Sequence, residues 1–431
     1  MTELFAANLQ IIQSRWPIVA SALKHASFEY LDACLVTAQN QTISVNGIQL
    51  SSRYDRLAEA RLLITQLPEH CKEVTVYGIG MGDVPSLLID KPQFSKIMVC
   101  PLNIDLFALL LSYTDQSEWL LDQRVTLVHR LEPNKLAQDY IAITPDLLLI
   151  KDENAKLRDL LVLENNRKYA NKHHGIDNPE IRQRLDENLT FIEQDPDAAA
   201  LRMTHSQPQA HIIGAGPSLE EHYPYLLQQQ SQPLKQLPLM IAVDTAVRAL
   251  FAQGIVPDIV VSIDSKITLA HFPEDLPNNL TLVYFPTLSS EVITAWPGPR
   301  FMAYSSSPIY DELNRKHPKL RLYTNGSVIH PAIDLAVHLG IREIILFGCD
   351  FCYPNNKTHA HWQEGLLGPS TQLDKKHWVI NGHGERVATD LNFRAYLRNL
   401  EHYICANPNV KFYQSSLESA RISGAQYKEV K

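Results

Sequence analysis

The residues best suited to chemistry in this chain cluster in Gly348-Cys349-Asp350-Phe351-Cys352-Tyr353, with His359 and His361 close behind. An imidazole titrates near neutrality, so either histidine could accept the proton of an attacking hydroxyl or donate a hydrogen bond to a departing phosphate. Tyr353 offers a hydroxyl for charge building on a leaving oxygen, and Asp350 a carboxylate beside it. Cys349-x-x-Cys352 with the two histidines also has the donor types zinc takes, but four ligands would crowd one loop, and the cysteines read better as small buried hydrophobes.

A second cluster is His211–Leu219, HIIGAGPSL, an apolar run that breaks into Gly-Ala-Gly-Pro-Ser. It reads as a strand, a tight turn and a helix start. Gly214 and Gly216 let the backbone turn and approach a ligand, Pro217 suits the first helical turn, and the free amides with Ser218 would face an anion such as a phosphate. Two further apolar runs end on acids: Leu239–Val243 on Asp244-Thr245, and Ile259–Ile263 on Asp264-Ser265. In open α/β sheets ligands sit beyond the carboxyl ends of the strands, so these polar ends should converge on one crevice. Each acid and serine also suits a helix cap or turn. Asn325-Gly326-Ser327 precedes another helical pattern, with Ser327 as N-cap and a second anion site at the helix start; Thr389-Asp390 has only the capping reading.

Elements must hold these residues in place. Strand-like runs at 280–285, 300–304, 320–323, 343–347 and 410–413 alternate with helical patterns such as 328–339 and 386–406, which indicates a largely parallel sheet. Upstream, Glu73–Tyr77 runs into a second glycine-rich turn, Gly78-Ile79-Gly80-Met81-Gly82, followed by a strand over 97–100. Dinucleotide and adenosyl sites want an acid near the end of that second strand, and Cys100-Pro101-Leu102 stands there instead. The expected organisation is tandem Rossmann-like α/β: a helical and hairpin region over 1–70, a degenerate Rossmann-like module over 71–150 that serves structure, a helical connector over 151–205, and a catalytic domain over 206–431.

The chain has 431 residues, 45% hydrophobic and 20% charged, enough for two or three domains with cores of their own. A net charge of −8 with no long basic run argues against a nucleic-acid footprint or an anionic membrane surface. No run approaches the roughly 18 apolar residues of a membrane span, and the start lacks a signal-peptide pattern, so the expected location is the cytoplasm. Six irregularly spaced cysteines do not form a disulfide framework.

GAGPSL, AVDTAVRALFAQGIVPDIVVSIDSK, NGSVIHPAIDLAVHLGIREIILFGCDFCY and THAHW, in that order over roughly residues 205–425, resemble the motility accessory factor family of flagellin glycosyltransferases, within the 6-hydroxymethylpterin diphosphokinase MptE-like superfamily. The resemblance implies a sialyltransferase-like domain that moves a nonulosonic acid from its CMP-activated donor to Ser or Thr of flagellin, for flagellum assembly and motility. It carries the family's Gly-x-Asp turn, tyrosine and histidine onto Gly348, Asp350, Tyr353 and His359, with His361 an equal candidate. CMP would lie across Gly214–Ser218 and Asp244, with no metal or other cofactor required. Two other readings stay open. The segment DTAVRALFAQGIVPDIVVSIDS also looks like that of thiamin- and pterin-type diphosphokinases, which hold Mg²⁺ and ATP, although Ser262 stands where those enzymes want a second acid. A non-catalytic flagellin-binding protein is the third.

Overall fold

Pro17 has no N–H to continue a helix, so the helical pattern at the N-terminus divides into Glu3–Arg15 and Pro17–Lys24. The computed structural model describes residues 2–129, 136–173, 179–202, 209–233, 237–362, 365–366 and 377–430, and the side chains of all of these except 165–173, 361–362 and 365–366. The chain forms two units, Met1–Asn165 and Asn166–Lys431.

In the first unit, β1 (Ala33–Thr37) and β2 (Gln41–Val45) form the expected hairpin, and β3 (Ile48–Gln49) joins them through Asn46 and Gly47, both at positive φ. A parallel sheet follows, built from β4 (Glu73–Tyr77), β5 (Lys96–Cys100), β6 (Val125–Leu127) and β7 (Tyr140–Ala142) in the order β6-β5-β4-β7. Its glycine turn is filled from within. The Asp146 carboxylate, just beyond β7, accepts hydrogen bonds from the Ile79 and Gly80 amides at 2.9 Å each. The cavity beside the turn holds only about 60 Å³, and Cys100 at the end of β5 is buried, which pushes its thiol up to about 12.

The second unit carries an eight-stranded sheet, parallel throughout: β8 (Ala210–Ile213), β9 (Leu239–Val243), β10 (Ile259–Ser262), β11 (Thr281–Tyr284) and β12 (Arg300–Met302) run outward on one side. The short strands β13 (Tyr304–Ser305) and β14 (Arg321–Leu322) pair with each other outside it. Then β15 (Glu343–Phe347) returns to the other side of β8. Two small antiparallel pairs follow, β16 (His361–Trp362) with β17 (Gly365–Leu366) and β18 (Trp378–Ile380) with β19 (Arg386–Ala388). Finally β20 (Lys411–Gln414) and β21 (Ala425–Tyr427) extend the sheet beyond β15. The strand β9 is apolar without interruption, because both faces of a parallel sheet are covered. Chain order reverses between β8 and β15, as it does between β4 and β7 in the first unit.

Two expectations change here. Arg386–Ala388 is strand, and the last long helix begins at Leu391, because Asp390 accepts the Phe393 amide as its N-cap at 2.7 Å. The segment expected as a connector contributes to the second unit's core. Its Asn188 side chain donates to the Pro286 and Leu288 carbonyls at 2.8 Å each, Asp195 accepts from Tyr284 at 2.6 Å, and Ile192 is fully buried.

Candidate functional site

The reversal between β8 and β15 leaves a cleft at the carboxyl ends of the strands, and the two glycine-bearing turns meet there. Gly214 donates to the Phe347 carbonyl and Gly216 to the Gly348 carbonyl, both at 2.8 Å. A side chain at Gly216 has no room, since a Cβ would lie 2.5 Å from an Asp350 oxygen.

Asp350, expected above as a catalytic group, is the centre of this junction and lines the recess that opens above it. Its carboxylate accepts from the Ser218 amide at 2.9 Å, from the Ser218 hydroxyl, and from the Ser419 hydroxyl at 2.5 Å. Burial raises its pKa while those bonds oppose the rise. The turn at Gly214–Ser218 therefore takes its anion from the protein. With the Gly216 and Ser218 amides both engaged and Pro217 lacking an N–H, the expected phosphate cradle is closed at these three positions. Ser218 and Pro217 are buried.

Two connected spaces open above it. A crevice of about 910 Å³ is lined by Asp244, Thr245, Asp264, Ser265, Lys266, Ser327, His359 and Tyr396, and by the helix Pro179–Glu187 on its far wall. A narrower recess of about 120 Å³ runs down to Gly216 and Gly348, between Val328, Phe351, Phe393 and Tyr396. Thr245, Ser327, Val328, His359 and Tyr396 line both, so they form the neck between the two.

At the neck, the His359 Nδ1 is buried and has no hydrogen-bond partner among the described residues. Burial lowers the pKa of this ring below 6.5, so the imidazole is neutral at pH 7 and can accept a proton. The His361 side chain lies outside the described residues. Asp244 is buried at the end of β9, accepting from the Thr245 amide and the Ser262 hydroxyl at 2.7 Å each. Burial, with a smaller contribution from Asp264, pushes its carboxyl up to about 6. Asp264 itself is exposed and accepts the Lys266 amide at 2.9 Å. Carboxylates outnumber cations along the crevice: Glu180, Glu187, Asp244 and Asp264 face Arg184 and Lys266, and Arg184 pairs with Glu187 at 3.1 Å.

Ser327 stands just before the helix Ile329–His338, and its hydroxyl accepts the Ile329 amide at 3.3 Å. Asn325 is exposed, donates to the Tyr323 hydroxyl at 3.0 Å and is not among the residues lining either space. Tyr353, the hydroxyl expected to meet a leaving oxygen, lies away from both spaces. Its hydroxyl donates to Asp390 at 2.6 Å and its ring packs on Phe393. Cys349 and Cys352 lie in the hydrophobic core, where burial raises both thiols.

Sequence reading passed over Tyr396 and the Pro179–Glu187 wall, and gave Lys266, at the polar end of the third strand, no role of its own. Tyr396 is held by a relay. His330 is buried, accepts the Asn325 amide at Nδ1 (3.2 Å) and so carries its proton on Nε2, which donates to the Tyr396 carbonyl at 3.0 Å. Gly326, at φ +86°, leaves room for the Tyr396 ring, which a Cβ would approach to 2.5 Å. That glycine was the one available signal of a ring packed nearby.

No helix among the described residues is long and apolar enough to cross a membrane. A comparison with curated proteins found no match. Among solved structures, the MAf glycosyltransferase from Magnetospirillum magneticum AMB-1 aligns at 16% identity over 99% of this chain and 74% of that chain, with a TM-score of 0.45. A spermidine synthase from Thermotoga maritima aligns at 15% identity over 28% of this chain and 49% of that chain, with a TM-score of 0.23. Residues 183–356 match the family model described as 6-hydroxymethylpterin diphosphokinase MptE-like, and this MptE-like segment holds the glycine turn, the Asp244 and Asp264 strand ends and the Ser327 helix start.

Proposed function

We propose that the second unit is a glycosyltransferase that moves a nonulosonic acid from a CMP-activated donor to a Ser or Thr hydroxyl of flagellin. The observation that carries this reading is the neutral His359 imidazole at the neck between recess and crevice, whose Nδ1 has no hydrogen-bond partner among the described residues. A nucleotide in the recess and a sugar in the crevice would place the bond between them at that ring. The acceptor oxygen attacks the anomeric carbon and its proton passes to His359, while the anomeric carbon–oxygen bond breaks and CMP leaves with the electron pair. With the Gly216 and Ser218 amides engaged, the departing phosphate is assigned to the start of the helix at Ser327, the Thr245 hydroxyl and Lys266. No metal takes part in this scheme.

A Mg²⁺- and ATP-dependent diphosphokinase is the second reading. It is favoured by the name of the matching family and by the surplus of carboxylates along the crevice, which a bound divalent ion would offset. The two are separated by incubating the protein with flagellin and a CMP-nonulosonic acid in the presence of a chelator. A mass increment of one sugar residue on flagellin supports glycosyl transfer; an unmodified flagellin, with ATP consumed only when Mg²⁺ and a hydroxymethylpterin are supplied, supports the kinase.

A further inference from the structure

The strand β1 is uncovered in three directions. It lies at the edge of its sheet, paired with β2 alone, and Ala33, Cys34, Leu35 and Thr37 are exposed, Leu35 by 63%. Natural edges are blunted with lysine, proline or a bulge, whereas this one reads Ala-Cys-Leu-Val-Thr and pairs with β2 in unbroken register. The direction of its free groups follows from the flanking bonds. Asn46 donates to the Asp32 carbonyl at 2.8 Å and Ala38 to the Asn40 carbonyl at 3.0 Å. Hydrogen-bonded pairs alternate along an antiparallel ladder, so Cys34 and Val36 point their backbone groups at β2. Ala33, Leu35 and Thr37 point theirs outward. The Leu50 amide, bonded to the Ile43 carbonyl on the far side of β2 at 2.9 Å, fits the same alternation.

We propose that β1 is the interface for a second copy of this chain, paired antiparallel across a two-fold axis at Leu35. Only that register brings outward groups opposite one another along the whole strand. Ala33 then faces Thr37 of the second copy, Leu35 faces Leu35, and Thr37 faces Ala33: three pairs of two bonds, about six in all. A one-residue slip matches none of them. Charge also permits it, because Asp32 falls opposite Ala38 and no like charges meet. The two Leu35 side chains come together on one face, which removes the most exposed apolar group of the strand from water.

The test is sedimentation of the full-length protein at concentrations up to roughly 100 µM, where a weak dimer would form. Wild type is expected to sediment as a dimer. Leu35→Lys sets two ammonium groups face to face, and Leu35→Pro removes only an outward N–H, which an edge strand tolerates. Both should weaken the dimer at least tenfold with the far-UV spectrum unchanged, so a folding defect in one leaves the other to decide. In a Cys34→Ser background, Leu35→Cys should oxidise to a covalent dimer, since Cα atoms about 5.5 Å apart suit a disulfide. Leu62→Cys, equally exposed but away from β1, should not. A monomer at every concentration, a dimer indifferent to both Leu35 variants, or equal cross-linking at positions 35 and 62 overturns the proposal.

Discussion

The Ser218 amide donates to the Asp350 carboxylate at 2.9 Å, across 132 residues of chain, and this bond sets the character of the glycine turn. A turn whose amides face a buried carboxylate is already neutralised, so it supplies a rigid floor in place of an anion site. The first unit repeats the arrangement with Asp146 and the amides of Ile79 and Gly80. In both units the acid follows the strand added on the reverse side of the first strand, and in both it enters a glycine turn at the end of that first strand.

Asp350→Ala leaves the Ser218 amide and two buried serine hydroxyls without their acceptor. The expected loss is about 3–5 kcal/mol of stability, read as a lower urea midpoint at unchanged slope. A loss of turnover with full stability would instead mark Asp350 as a catalytic group.

Tyr353→Phe removes a hydroxyl that bonds to Asp390, the cap of the last long helix. It should cost about 1–2 kcal/mol in thermal or urea unfolding and leave turnover within a few-fold of wild type. A large loss of kcat would show that the hydroxyl reaches substrate.

Asp244 carries a pH signature. Its folded-state value of about 6 lies above the unfolded value near 3.8, because burial disfavours the ionised form. Its contribution to stability is complete below pH 4 and is lost as pH rises through 6, by at most about 3 kcal/mol. Asp244→Asn lacks this titration, so stability of wild type relative to the variant should fall between pH 4 and 6. A flat difference over that range contradicts the burial argument.

His359→Ala should reduce kcat by about 10²- to 10⁴-fold while leaving CMP binding within a few-fold of wild type. The wild-type kcat/KM profile should fall on its acid side with an apparent pKa below 6.5, since burial holds the ring neutral. An acid limb above 6.5, or an active variant, removes His359 from the mechanism.

How far the sequence alone reaches is visible residue by residue. The strands β8, β9, β10 and β15 were legible because buried parallel strands are short apolar runs that end on polar residues, and the meeting of their ends at one cleft followed from topology. Thr245, Asp264 and His359 reach that cleft as their positions imply. Asp350 and Tyr353 lie on the same loop with the same chemistry in their side chains, yet each turns inward to a partner the spacing does not reveal, Ser419 in one case and Asp390 in the other. The crevice wall at Pro179–Glu187 was hidden for a related reason. Its polar sequence reads as a connector, and it is tied to the sheet through Asn188 and Asp195, whose bonds to residues about a hundred positions away leave no local pattern.

The central claim, that the cleft at the ends of β8, β9 and β15 is a nucleotide site, is tested most directly by calorimetric titration with CMP in a chelator and, separately, with ATP and Mg²⁺. The same titrations are made on Thr245→Trp, which fills the neck. Metal-independent binding of CMP, lost by more than tenfold in a folded Thr245→Trp protein, is the result the account predicts. Binding of ATP only with Mg²⁺, or CMP binding that Thr245→Trp leaves intact, contradicts it.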